Sequence, residues 1–169
     1  MARPDLLSIP PFYHNYINLV IHDNLHDAFH EHVTELVSLL SPLHADKWNF
    51  RYAEGKWTVK ELVQHVIDAE RIFNYRALCF ARGDKNELPG FDENLYADNS
   101  KANNRKPDDL LNELASVQKS SKFLIDSFDD EQLNKEGISN NNIISVLAIG
   151  YITVGHAKHH AVILKERYL

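Results

Sequence analysis

A chain of 169 residues, 44% apolar and 25% charged, has the length and balance of one globular domain spanning residues 1–169, with enough apolar material for a proper core. Its net charge of −6, with no Lys/Arg cluster, argues against a nucleic-acid partner, which needs a concentrated basic face; no stretch nears the roughly 20 apolar residues that span a membrane. A single cysteine, Cys79, excludes an internal disulfide, and no apolar run of signal-peptide length opens the chain, so a cytoplasmic protein is expected.

Four segments carry helical periodicity. The first runs from about Phe12, after Pro10-Pro11, to Ser41, before Pro42; Ile17, Val20, Ile21, Ala28, Leu36, Leu39 and Leu40 recur mostly at three- and four-residue steps. The second opens at Thr58-Val59-Lys60-Glu61, the pattern of a capping box, and continues through Leu62, Val63, Val66, Ile67, Phe73 and Ala77 to about Gly83. The third starts after Pro107 and carries Leu110, Leu111, Leu114, Val117, Phe123 and Leu124 to about Phe128. The fourth runs from about Ile143–Ser145 to the C-terminus. No segment alternates strictly, so no sheet is expected. The fold class is all-α: a four-helix bundle. The long connection between helices two and three, Gly83 to Lys106, is either functional or a crossover that leaves those helices parallel, giving up-down-down-up topology.

Ten histidines make position the deciding question. His156 and His160 are four residues apart, the helical spacing that aims two imidazoles at one ion, and both fall in the apolar stripe of helix four. His65 lies on the flank of helix two's stripe, about 10 Å from that helix's start; His160 and His156 lie about 12–18 Å from the end of helix four. In antiparallel helices these heights nearly match, so the three can converge on a metal with positions left open. On spacing alone, two or three core histidines satisfied by ordinary hydrogen bonds explain the pattern equally well. His159 falls toward the polar side, as an outer or exposed group. His22, His26 and His30 share the same spacing on helix one but lie opposite its apolar stripe with Asp23 and Asp27 between them, a solvated face. His14, His32 and His44 show no partner set, and Cys79 has no base nearby in the pattern.

The runs Gly55-Lys56-Trp57-Thr58-Val59-Lys60-Glu61, His65-Val66-Ile67-Asp68-Ala69-Glu70-Arg71-Ile72-Phe73 and Tyr75-Arg76-Ala77-Leu78 resemble the DinB-like superfamily. So do Leu88-Pro89-Gly90-Phe91-Asp92-Glu93-Asn94 and Gly155-His156-Ala157-Lys158-His159-His160 through Leu169. The resemblance spans nearly the whole chain. It implies an up-down-down-up four-helix bundle, often a homodimer, with a divalent metal on one histidine of helix two and two of helix four. Those positions match His65, His156 and His160. One departure stands out: relatives often carry a glutamate where this chain has Ala157, so a carboxylate role would fall to Asp68 or Glu70, unless the position only packs.

The resemblance implies a metal-dependent enzyme acting on a small-molecule substrate; imidazole ligands make zinc or nickel the leading ions, with iron or manganese next. The leading expectation is a thiol-dependent S-transferase that uses a low-molecular-weight thiol such as bacillithiol or mycothiol against small electrophiles. A metal-dependent hydrolase is the variant within the enzyme class. The alternative is a non-catalytic metal-binding or stress-related bundle. Arg76, Tyr96 and Arg105 are candidates to meet a substrate carboxylate.

Overall fold

The first predicted helix is broken in two. The computed structural model, which describes residues 3–169, has α1 at His14–Leu19 and α2 at Leu25–Leu40, with Val20 extended between them; Met1 and Ala2 lie outside the described residues. The new helix is capped at its start, where the Asn24 side chain accepts from the His26 N–H. The freed backbone finds other partners. Arg3 donates to the carbonyls of Ile17 and Val20, and the Tyr151 phenol donates to that of Asp23. Ile21, part of the stripe of an unbroken helix, is therefore exposed.

The second helix, α3 (Val59–Ala81), opens on the expected capping box: the Thr58 hydroxyl accepts from the Glu61 N–H and the Glu61 carboxylate accepts from the Thr58 N–H. The long connection that follows holds a short helix, α4 (Glu93–Asn99), capped by Asp92, and a 3-10 turn at Ala102–Asn104. Next come α5 (Pro107–Asp126), begun by proline at its first position, and the single turn α6 (Asp130–Leu133).

The expectation of no sheet is corrected by a small antiparallel hairpin, β1 (Glu136–Ser139) and β2 (Asn142–Ser145), pairing Glu136 with Ser145 through Ser139 with Asn142. Its two-residue turn, Asn140-Asn141, has positive φ at both residues, which asparagine tolerates and which matches the twist of paired strands. The hairpin also captures the long connection: the Leu88 N–H donates to the Ile138 carbonyl and the Asn140 N–H to the Leu88 carbonyl.

The last helix, α7 (Val146–Arg167), is capped by Ser145 and is buried without interruption from Val146 to Lys158, because α1, α2 and α3 all pack on it. The four long helices α2, α3, α5 and α7 bury two apolar clusters, one containing Phe29, Phe80 and Tyr151, the other Trp48, Leu110 and Leu164. Among the described residues, no helix is long and apolar enough to cross a membrane.

Gly155 is what lets α1 seat against α7. A Cβ there would lie 2.1 Å from the Tyr16 carbonyl oxygen, a backbone atom that cannot swing away. Gly155→Ala is expected to cost about 1–3 kcal/mol, the usual penalty of overpacking, in urea unfolding. A variant as stable as the wild type would mean that α1 does not depend on this contact.

Candidate metal centre

Two helices supply the centre. His65 stands on the second turn of α3; His156 and His160 stand one turn apart on α7, the i, i+4 pair whose side chains share a face. All three are buried, at 7%, 6% and 7% exposure. His65 Nε2 lies 3.0 Å from His156 Nε2, and His160 Nε2 lies 3.1 Å from the same atom. The three ligand atoms lie within 4.8 Å of one another.

Hydrogen bonding does not satisfy this arrangement. An imidazole nitrogen carries either one N–H or one lone pair, so His156 Nε2 can serve one neighbour but not both. An ion can serve all three. At about 2.1 Å from each nitrogen it sets them roughly 3.0–3.4 Å apart for ligand angles of about 90–110°. Electrostatics point the same way, since metal ligands must be neutral. Burial, helped by the charge of His159, pushes the His65 pKa down to about 4. Burial and the neighbouring imidazoles hold His156 and His160 well below the ordinary histidine value.

Beside the histidines opens a cavity of about 370 Å³, lined by Tyr13, Tyr16, Trp57, Phe73 and Phe91, with Arg76, Glu93, Asn140 and His159 as its polar and charged members. The aromatic rings fix the imidazoles. Trp57 lies 4.7 Å from the His65 ring, and Tyr16 and Phe73 meet His156 edge-on at 5.5 and 5.6 Å. A volume in the range of small-molecule pockets, with a wall shared about equally between aromatic rings and polar groups, makes this a binding site in form.

The model of the DinB superfamily matches residues 28–164. The chain belongs to the DinB superfamily. Among solved structures, this DinB chain is similar to YfiT from Bacillus subtilis, described as a probable metal-dependent hydrolase with an unusual four-helix bundle topology. The TM-score is 0.71 at 19% identity, over 98% of this chain and 91% of that one. No curated protein matches the chain. The likeness to YfiT shows the fold.

The other residues singled out in this DinB chain have separate fates. His159, expected at the edge, lines the cavity, its ring 5.2 Å from both His160 and Tyr16, and burial lowers its pKa. His22 and His26 are tied to Glu31 and Asp126 on the surface, and His30 is exposed, as a solvated face requires. His32 does have a partner: with Ser121 it meets Glu70 in the bundle interior, both His32 and Glu70 being 2% exposed. Glu70 is thus engaged away from the cavity. Asp68 is bound by Gln64 and also lies off the cavity wall, so neither takes the place of the missing glutamate. Ala157 packs in the second apolar cluster. Arg105 pairs with Glu113 and Gln64, and Tyr96 rests on Phe91 at the surface, leaving Arg76 alone of the three carboxylate candidates in the cavity wall.

Tyr13, Tyr16 and Asn140 also line the cavity, and no motif or spacing in the sequence marks them. Tyr16 is placed by the α1–α2 break and Asn140 by the hairpin, and neither element was foreseen.

Proposed function

We propose that the chain is a metal-dependent enzyme acting on a small-molecule substrate, with one divalent ion held by Nε2 of His65, His156 and His160 and hydrolysis as its reaction. The observation that carries this reading is the approach of two imidazole nitrogens to a third that can hydrogen-bond to only one of them. The description of YfiT as a probable metal-dependent hydrolase supports the choice of reaction. When bound, a divalent ion supplies Lewis acidity, polarising an oxygen or sulfur ligand so that it loses its proton near neutral pH. The protein's share is to keep three neutral imidazoles in place, so that the ion's charge is undiminished, and to line the approach with aromatic rings that limit water. His159, half-buried on the wall, is placed to exchange a proton with solvent.

Thiol-dependent S-transfer is the second reading, favoured by a cavity with room for more than a water molecule beside the histidines. Zinc or nickel suits the imidazole set. Up-down-down-up topology within one domain is supported by the pairing of side chains along the helices. Arg71 meets Glu113 and Asn74 meets Ser121, advancing together along α3 and α5, whereas the Tyr168 phenol at the end of α7 donates to Trp57 just before α3. A cytoplasmic homodimer completes the proposal.

The test is elemental mass spectrometry of untagged protein, followed by hydrolysis and thiol-conjugation screens before and after chelation. About one ion per chain is expected, together with a turnover that chelator abolishes and added ion restores. No ion after incubation with zinc, nickel and manganese would leave a non-catalytic bundle.

A further inference from the structure

Arg76 is a buried cation without a counter-ion. It is 4% exposed, yet among the described residues no carboxylate lies within salt-bridge distance of it. One N–H donates to the Pro89 carbonyl at 2.7 Å, and the guanidinium carbon stands 6.0 Å from the centre of the Phe91 ring. A guanidinium has five N–H donors, so most of its capacity is unused by that carbonyl. Pro89 and the Phe91 ring are both neutral, so the positive charge is left without an anionic partner. Burying an unpaired charge is costly, and proteins keep such groups where a ligand completes the pair.

Its surroundings are those of an anion pocket. Arg76 lines the histidine cavity on one side and, on the other, a water-sized recess shared with Tyr13, Ser139 and Asn142. The Ser139 hydroxyl in that recess is buried and has no hydrogen-bond partner. Asn140, next along the hairpin, lines the main cavity with its side chain against Gly90. The hairpin's hydroxyl and amides and the Tyr13 phenol thus line the same two spaces as the guanidinium. The acidic lining residue, Glu93, is exposed and does not pair with Arg76. Among the described residues no lysine and no second arginine line the cavity, so its single cation suits one negative charge rather than the two of a phosphate monoester.

The distance along α3 adds a constraint. Arg76 lies eleven residues after His65, about 16 Å of helix rise. A molecule reaching both ends has several bonds between its anionic group and its reacting group, and the aromatic walls suit an apolar connection.

We infer that the substrate carries a single carboxylate, held by Arg76 beside the tip of the β1–β2 hairpin, with an apolar body along the aromatic wall and its reacting end over the three histidines. This rests on the proposed function in taking the histidine cavity as the substrate site.

The test uses 4-phenylbutyrate and its neutral amide, titrated into the full chain and followed by protein-observed NMR. Each titration is run with chelator-treated and with metal-loaded protein, so that direct capture of a carboxylate by the ion is separated from capture by Arg76. Wild-type protein should bind the carboxylate at least about tenfold more tightly than the amide, equivalent to about 1.4 kcal/mol, in both forms. Arg76→Gln should bring the two probes within about twofold, while Arg76→Lys, which keeps the charge, retains part of the preference. Metal content should be the same in wild type and both variants. Equal binding of the two probes by wild type, no detectable binding of the carboxylate, or a preference that survives Arg76→Gln overturns the inference. Protein that never takes up an ion yet shows the Arg76-dependent preference would instead refute the metal-enzyme reading and leave the carboxylate site standing.

Discussion

His156→Ala is expected to abolish metal binding while the bundle stays folded. His156 Nε2 is the shared neighbour of the other two nitrogens, 3.0 Å from His65 and 3.1 Å from His160, so its removal leaves two imidazoles with no common third ligand. Even an outer partner of a metal ligand is worth about 10–100-fold in affinity, and a direct ligand is worth more. Elemental mass spectrometry should therefore find about one ion per chain in wild type and almost none in the variant. Far-UV circular dichroism should keep its helical form, since α7 is held by apolar contacts along most of its length. His26→Ala should leave the ion content unchanged, because His26 is engaged with Asp126 on another face. Undiminished metal in the His156 variant would show that the ion is not held by these three histidines.

Acid should destabilise the metal-free protein well before its carboxylates protonate. His65 has a folded pKa of about 4 against an ordinary value near 6.5, because burial disfavours the charged ring. Below pH 6.5 the unfolded chain takes up a proton that the folded chain refuses, so stability falls as pH falls. The contribution is complete above 6.5 and is lost progressively down to about 4. At pH 5 His65 alone accounts for about 2 kcal/mol, and His156 and His160, lowered by the same cause, act in the same direction. Urea unfolding of chelator-treated protein at pH 7.5 and pH 5 measures this. A midpoint that does not move, or that rises in acid, would mean the rings are not held neutral.

The parts of the fold that were legible in the sequence are those fixed by local chemistry. Thr58 and Glu61 cap α3 through atoms three residues apart, and Pro107 begins α5. The convergence of His65 with His156 and His160 followed from helical spacing and matching heights, quantities a one-dimensional pattern contains. What escaped depends on partners distant in the chain. The interruption after Leu19 is held by Arg3 and by Tyr151, more than a hundred residues away. The hairpin strands have four residues each, too few for alternation to register, and the Asn140-Asn141 turn was the one cue available. Glu70 and His32 form a pair across 38 residues that no periodicity reveals. The unpaired state of Arg76 is likewise a fact about every carboxylate among the described residues, visible only once all of them have been placed.

The burial of α7 on every side bears on how such a chain can vary. Most helices have an outer face where residues drift freely, giving substitution tolerance a rhythm of 3.6 positions. From Val146 to Lys158 this helix has no such face, and even Lys158 is anchored between Glu31 and Glu35 of α2. Selection on His156 is therefore embedded in selection on packing all around it. Tolerance along this stretch should be flat and low, and new surfaces or specificities are left to arise on the loops and on the outward sides of α2 and α5.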